Sequence, residues 1–297
     1  MLFVAFVSPL NFCFSPTGKE DTMRFKRVYL EITNICNLHC GFCPGTERQP
    51  RFLSPAEADT LMRRLRGWTS WLCFHLMGEP LLHPQFPELL SLAELHNYYV
   101  NFTTNGVLLP DKGDTLLNTP VIRRVNISLQ AWEGNGRSWD VFDYVNSCAD
   151  FARRAATRGA AVSLRLWNGA AEGNETLLSA LHGAFPALWR TAQRNIVLSE
   201  RIFLEQAERF DWPDAAGPMR GATFCRGLRD HIGVLCDGTV VPCCLDSEGT
   251  IALGSLFESE LPNILQTERA RAIFDGFSRR APTEDLCRRC GFAERFG

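Results

Sequence analysis

Six short stretches of this chain are apolar or alternate apolar with polar, and between them the apolar spacing lengthens to threes and fours. Residues 27–33 (RVYLEIT), 72–77 (LCFHLM), 98–104 (YYVNFTT), 121–130 (VIRRVNISLQ), 161–167 (AVSLRLW) and 195–204 (NIVLSERIFL) read as strands, rich in β-branched and aromatic residues. Ser54 before Pro55 is a good N-cap and predicts a helix to about Trp68. Further helical patterns cover 86–97, 138–157 and 174–189, and Asn105-Gly106 stops the third strand. Strands alternating with helices predict βα units and a parallel sheet. The expected fold class is therefore α/β, a partial (β/α)6 barrel rather than a closed eight-stranded one. Such architectures carry their chemistry at the C-terminal ends of the strands. Cys36, Glu79, Asn105, Gln130 and Asn168 all fall there.

After Trp212-Pro213 the pattern changes. A Pro/Gly-rich linker (WPDAAGPMRG) leads to Cys225, followed by the hairpin HIGVLCDGTVVPCC, whose Asp237-Gly238 suits a tight turn. A helix is expected near 259–275, and the chain closes on CRRCGF and a short tail. The reading divides the chain into an N-terminal extension (1–26), expected to be poorly ordered, a barrel (27–214) and a small C-terminal hairpin-plus-helix domain (215–297). Residues 1–14 are apolar but lack a basic flank and a cleavage site, are broken by Pro9, and are too short to span a bilayer. Met23 is an alternative start.

Composition changes this picture in one respect. The 297 residues are 45% hydrophobic and 22% charged, with a net charge of −2, so no charge argument points to nucleic acid or a membrane. Arg63, Arg64 and Arg66 read as a solvated helix face. Twelve cysteines are unusual. A disulfide scaffold is short and loop-rich, whereas clustered cysteines in a chain like this read as metal ligands in a reducing, cytoplasmic setting.

Cys36-x3-Cys40-x2-Cys43 places three thiols in eight residues on a loop leaving the first strand. Structural zinc favours four ligands with paired spacing, so three thiolates in one loop suit an iron–sulfur cubane better. One iron then stays open, and S-adenosylmethionine (SAM) can chelate it through its amino and carboxylate groups. His39 is a conceivable fourth ligand that would close that position.

CNLHCGFC (36–43) resembles the C-x3-C-x-φ-C signature of the radical SAM superfamily, with Phe42 at the aromatic position. Three further segments resemble that family in order. LMGEPLLHP (76–84) is similar to its GGEP motif, with Met77 replacing the first glycine. TTNG (103–106) is similar to its Thr-Asn-Gly segment, and NISLQ (126–130) to its SLD segment, with Gln130 in place of the acid. The resemblance covers residues 27–205. It implies a [4Fe–4S] cluster on Cys36, Cys40 and Cys43, with SAM contacts from Gly78, Glu79, Asn105, Ser128 and Gln130. Arg165 on the fifth strand is a candidate for the SAM carboxylate.

Cys225, Cys236, Cys243, Cys244, Cys287 and Cys290 lie in the last 73 residues. Four thiolates make either a fully ligated [4Fe–4S] cluster or a zinc site. The layout resembles the SPASM/twitch extension of radical SAM enzymes, which implies an auxiliary [4Fe–4S] cluster on Cys225, Cys243, Cys287 and Cys290. Cys243 and Cys244 are adjacent and point to opposite faces, so one is the ligand and Cys244 stays the alternative. Cys73, Cys148 and Cys236 read as packed thiols, and Cys13 falls in the extension.

The expected function is reductive cleavage of SAM to a 5′-deoxyadenosyl radical that abstracts hydrogen from a small polyol-like or peptide substrate. An external donor such as a flavodoxin or ferredoxin supplies the electron. The competing class is a non-catalytic zinc-binding adaptor with a degenerate barrel. A Cys287/Cys290 redox switch lacks the thioredoxin-like context it needs. Gln130, Trp132, Trp167, Asn168 and Glu205 are candidate substrate contacts, the two tryptophans reading more readily as core aromatics. No general base is named: Glu31, if it faces inward, reads equally as a candidate base and as a structural partner of Arg165.

Overall fold

A computed structural model describes residues 25–169, 174–192, 195–221 and 224–296. Cys13 and all but the last two residues of the expected N-terminal extension lie outside them.

The barrel half begins with β1 (Arg27–Leu30), α1 (Pro55–Arg64), β2 (Trp71–Cys73), α2 (Phe86–Leu95), β3 (Tyr99–Thr104) and α3 (Leu109–Leu116). It continues with β4 (Ile122–Ser128), α4 (Ala131–Gly134), α5 (Val141–Thr157), β5 (Ala161–Leu166) and α6 (Asn174–Ala184). Then come β6 (Arg190–Ala192), β7 (Asn195–Ser199) and β8 (Ile202–Gln206). The last part holds β9 (His231–Val234), β10 (Thr239–Val241), β11 (Gly254–Ser255), α7 (Leu261–Leu265), α8 (Glu268–Ser278) and α9 (Asp285–Arg288). Helix α1 starts where the sequence places it. The Ser54 hydroxyl accepts from the Glu57 N–H, and the Glu57 side chain returns the bond to the Ser54 backbone.

All the strands form one sheet in the order β11-β10-β9-β1-β2-β3-β4-β5-β8-β7-β6. From β9 through β1 to β8 the neighbours are parallel. On one face Val28, Leu72, Val100, Phe102, Val125, Val162, Leu164 and Leu204 are fully buried and belong to the core under the helices. Side chains alternate along a strand, so registered partners bring Tyr29, Cys73 and Asn101 to the opposite face in one row. Asn126 lies beside Ser163 there, and Ser128 beside Arg165 and Glu205. The helix-free face is polar in a way that a packed barrel core is not.

Two expectations need correcting. The stretch 195–204 is not one strand but parts of two, β7 and β8, paired antiparallel. Arg201 sits between them at φ +58°, a left-handed turn inside an otherwise strand-like run. The helix expected at 259–275 is also two, because Gln266 and Thr267 end α7 and cap α8. The C-terminal hairpin continues the barrel's own sheet. β9 pairs in parallel with β1 over four residues, Arg27↔His231 to Leu30↔Val234. At the other side, a 3-10 helix (Gly291–Phe296) meets the chain that leaves β8. The Gly291 N–H donates to the Asp211 carbonyl at 3.2 Å, and Arg220 bridges Asp211 and Glu294.

Candidate functional site

The cysteine loop leaves β1 and is held from three directions. A turn closes it, the Cys43 N–H donating to the Cys40 carbonyl at 2.9 Å. Helix α4 supports it from below β4's end. The Gly41 N–H donates to the Gly134 carbonyl at 2.8 Å, and the Asn135 amide reaches Cys40 Sγ at 3.1 Å. A Cβ on Gly134 would lie 2.5 Å from the Phe42 ring and 3.1 Å from the Cys40 Cβ, so only a glycine lets α4 come this close. From β3, Asn105 Nδ2 donates to the Asn37 side chain at 2.8 Å. Cys36 and Cys43 are exposed and Cys40 is half-buried. Burial raises the Cys40 thiol above its usual range, and the Asn135 amide pulls it back by favouring the thiolate.

Next to the loop, Gly78 turns the chain at φ +74°. A Cβ here would lie 2.5 Å from the Thr33 carbonyl oxygen and 2.9 Å from Ile35's, a second place where the cysteine loop demands bare backbone. Glu79 follows, its N–H donating to the Ile35 carbonyl at 2.8 Å. Its buried carboxylate accepts from Leu81 N–H at 3.0 Å and Asn105 N–H at 2.7 Å. Burial outweighs those two bonds and pushes the Glu79 pKa up to about 7. Further along the strand ends, Gln130 is buried with its carbonyl oxygen unpartnered, and so is Asn168. Ser128 is half-buried at the end of β4.

Arg165 does not meet Glu31. Its Nε donates to Glu205 at 3.0 Å while its guanidinium stacks over Trp167 at 4.5 Å. Ser163 and Arg124 also reach Glu205, at 2.8 and 3.5 Å. Glu31 instead takes Arg48, because Arg48 arrives from the cysteine-loop side with its fork aligned, at 2.6 and 2.8 Å. Trp132 is core: it is buried and its indole donates to the Trp139 carbonyl at 2.8 Å. Trp167 is half-buried between Arg165 and Arg295. Asn37, Arg48 and Asn135, which brace the cysteine loop and Glu31, escaped the sequence reading, and so did His75. His75 faces Tyr29 edge-on at 5.3 Å, with Nδ1 unpartnered. Burial together with Arg165 and Arg27 lowers its pKa to about 3, which keeps it neutral. Nothing in a short apolar run distinguishes such a histidine.

In the C-terminal part, Cys225, Cys243, Cys287 and Cys290 line one small cavity, whose other walls are mostly apolar, among them Pro242, Ile251 and Phe277. Cys244 is not in its lining; it faces the other way and meets Tyr29. Asp246, at the cavity wall, spends its carboxylate on the Thr250 and Ile251 N–H groups at 2.9 and 2.8 Å. Burial raises the Cys243 and Cys287 thiols, and their neighbours raise them further: four thiols this close do not ionise together without a cation to face. Cys73, Cys148 and Cys236 are buried and belong to neither cysteine set. Among the described residues no three His, Cys, Asp or Glu side chains converge to hold a single metal ion.

The family model for the radical SAM superfamily matches residues 30–147, the segment that carries the loop, Gly78, Glu79 and Asn105. Residues 30–147 are a radical SAM superfamily domain. A second model, for the SPASM iron–sulfur cluster-binding domain, matches residues 225–291 and so spans the four-cysteine cavity. GTP 3′,8-cyclase of Chlorobaculum tepidum is 36% identical over 116 residues, 36% of this chain and 35% of that protein. Mycofactocin maturase MftC of Mycobacterium ulcerans is 31% identical over 124 residues, 41% and 32% of the two chains. The matches span about a third of these relatives' lengths. Among solved structures, BtrN in complex with AdoMet and 2-DOIA aligns at TM-score 0.57 and 17% identity, over 90% of this chain and 92% of that one. Streptococcus suis SuiB bound to precursor peptide SuiA aligns at TM-score 0.60 and 16% identity, over 92% and 71%. These likenesses show the fold. The superfamily's cofactors are a [4Fe–4S] cluster and SAM, and the SPASM domain's is an auxiliary iron–sulfur cluster. The donor sets fit: three thiols in one exposed loop beside a buried carboxylate, and four thiols around an apolar cavity. No described helix is long and apolar enough to cross a membrane.

Proposed function

We propose that this chain is a radical SAM enzyme that oxidises or rearranges a substrate held on the polar face of the open barrel, between two cluster sites. Cys36, Cys40 and Cys43 hold the first [4Fe–4S] cluster. Cys225, Cys243, Cys287 and Cys290 hold the second, with Cys243 preferred because Cys244 turns to Tyr29. The first cluster, reduced by an external donor such as a flavodoxin or ferredoxin, would supply the one electron that splits bound SAM into methionine and a 5′-deoxyadenosyl radical. The protein's part is to place and shield. Glu79 and the Gly78 turn receive the SAM ammonium, Asn105 braces the loop through Asn37, and Gln130 and Ser128 meet the ribose. Arg165, fixed by Glu205 and Trp167, presents its remaining guanidinium N–H groups to a carboxylate. Residues 27–214 form the SAM half and 215–297 the auxiliary half.

For the substrate, the amide and hydroxyl side chains of Asn101, Asn126 and Ser163 suit a small polyhydroxylated molecule. BtrN, named with 2-DOIA, is spanned almost end to end by this chain. A peptide is the second reading, favoured by the maturase and SuiB likenesses. The enzymatic reading outranks a zinc-binding adaptor on one observation: the loop, the Gly78–Glu79 turn and Asn105 are hydrogen-bonded into a single surface. Anaerobic reconstitution with iron and sulfide, followed by dithionite and SAM, is expected to yield 5′-deoxyadenosine and about eight irons per chain. Cys36→Ala should abolish the product. An unchanged yield in that variant overturns the loop assignment, and about four irons overturns the auxiliary cubane.

A further inference from the structure

Glu31 is fully buried and none of the chemistry above uses it. Its two oxygens receive hydrogen bonds from three separate parts of the chain. Arg48, just beyond the cysteine loop, holds both oxygens at 2.6 and 2.8 Å. The Met77 N–H, at the start of the turn that presents Glu79, donates at 3.3 Å. From the auxiliary hairpin, Cys236 donates its N–H at 3.1 Å and its thiol at 2.9 Å. Arg48 carries the tie further: its Nε donates to the Ser247 carbonyl at 2.7 Å, and the neighbouring Glu47 N–H meets the Glu248 carboxylate at 3.2 Å. Ser247 lies four residues past Cys243, a wall of the auxiliary cavity.

The geometry points to Glu31 as a positioning residue that, through Arg48, Met77 and Cys236, locks the SAM-binding turn to the auxiliary-cluster module. The inference rests on the assignment of the two cysteine sites above. A buried carboxylate is stable only while its charge is met. Loss of Arg48, which also meets the Cys236 side chain, therefore frees Glu31 from its best partner and loosens the Met77 and Cys236 bonds together. A lysine keeps the charge but not the fork, so it cannot hold both carboxylate oxygens and the Ser247 carbonyl at once.

Hydrogen exchange of the full-length reconstituted protein tests this, with Arg48→Gln, Arg48→Lys and, as a control, Arg269→Gln. Arg269 pairs with Glu284 and is not among the groups that bond Glu31. In Arg48→Gln, exchange is expected to quicken at 76–79 and 234–237 as well as at 245–249, with α5 unchanged. Arg48→Lys should fall between that variant and the parent, and Arg269→Gln should leave 76–79 unaltered. In SAM cleavage, Arg48→Gln should raise the KM for SAM about fivefold while kcat stays within about twofold. Quickening confined to 44–51 and 245–249 overturns the inference. So does quickening that spreads to α5, which would mean that Arg48 only stabilises the fold. Iron content and cluster absorbance, measured on the same samples, report separately on the cluster assignments.

Discussion

At the scale of single residues, Glu79 carries the clearest pH signature. An ordinary glutamate here would titrate at 4.5, and burial moves it to about 7. Below pH 4.5 the carboxyl is protonated whether the chain is folded or not. As pH rises from 4.5 to 7 the unfolded chain ionises while the folded one keeps its proton, so stability falls by about 3 kcal/mol over that window. An ammonium set against Glu79 reverses the preference, because it favours the carboxylate. The KM for SAM is therefore expected to rise as pH drops below about 7, approaching tenfold per unit. In Glu79→Gln the KM should be raised and its pH profile flat. Initial rates of 5′-deoxyadenosine formation across pH 6 to 8 check this, and a flat profile in the parent would remove Glu79 from the ammonium site. Glu79 was readable in the sequence because it sits in a contiguous motif. The partner of Glu31 was not: Arg48, Met77 and Cys236 lie 17, 46 and 205 residues away. Alternation along β1 says which way Glu31 points, not which of several basic residues reaches it.

At the scale of elements, the strand and helix pattern was legible wherever periodicity ran unbroken, as in α5 and β3. It failed where a single backbone torsion decided the outcome. Arg201 at φ +58° makes a hairpin of what reads as one strand, and no residue preference announces that turn. Helix α4 was missed for a related reason. Its four residues are too few for a period, yet it is the element that braces the cysteine loop. Its glycine has a specific job. Gly134→Val would drive side-chain carbons into the Phe42 ring and toward the Cys40 Cβ, displacing the loop rather than α4, whose Trp132 is locked in the core. Iron bound per chain is expected to fall by about half, from the first site alone, since the four-cysteine cavity lies elsewhere. Iron analysis with EPR of the reduced protein separates the two clusters. Equal loss from both would mean that the substitution unfolds the barrel.

At the scale of the whole molecule, the boundary near residue 215 reads cleanly in sequence because composition shifts there. Hydrogen bonding does not respect it. The four-residue pairing of β1 with β9 makes the auxiliary hairpin an integral strand neighbour of the barrel's first strand. Sequence could not foretell this, since both β1 and β9 satisfy their own apolar patterns and the pairing is set by how the linker returns. Cutting the chain after residue 214 would expose the β1 edge and leave Glu31 without the Cys236 donors and Arg48 without Ser247. An unpaired strand next to a fully buried row of Val28, Leu30 and Ile32 is a template for association with other chains. The 25–214 fragment is therefore expected to aggregate, or to melt well below the full chain. The cut leaves the Glu31–Arg48 pair in place but removes its Cys236 donors, a cost of about 1–3 kcal/mol for a buried acceptor left unmet. Light scattering and thermal unfolding of the two proteins make the comparison. A monomeric fragment with an unchanged Tm would show that the barrel's stability is its own and that the shared sheet merely docks the auxiliary module.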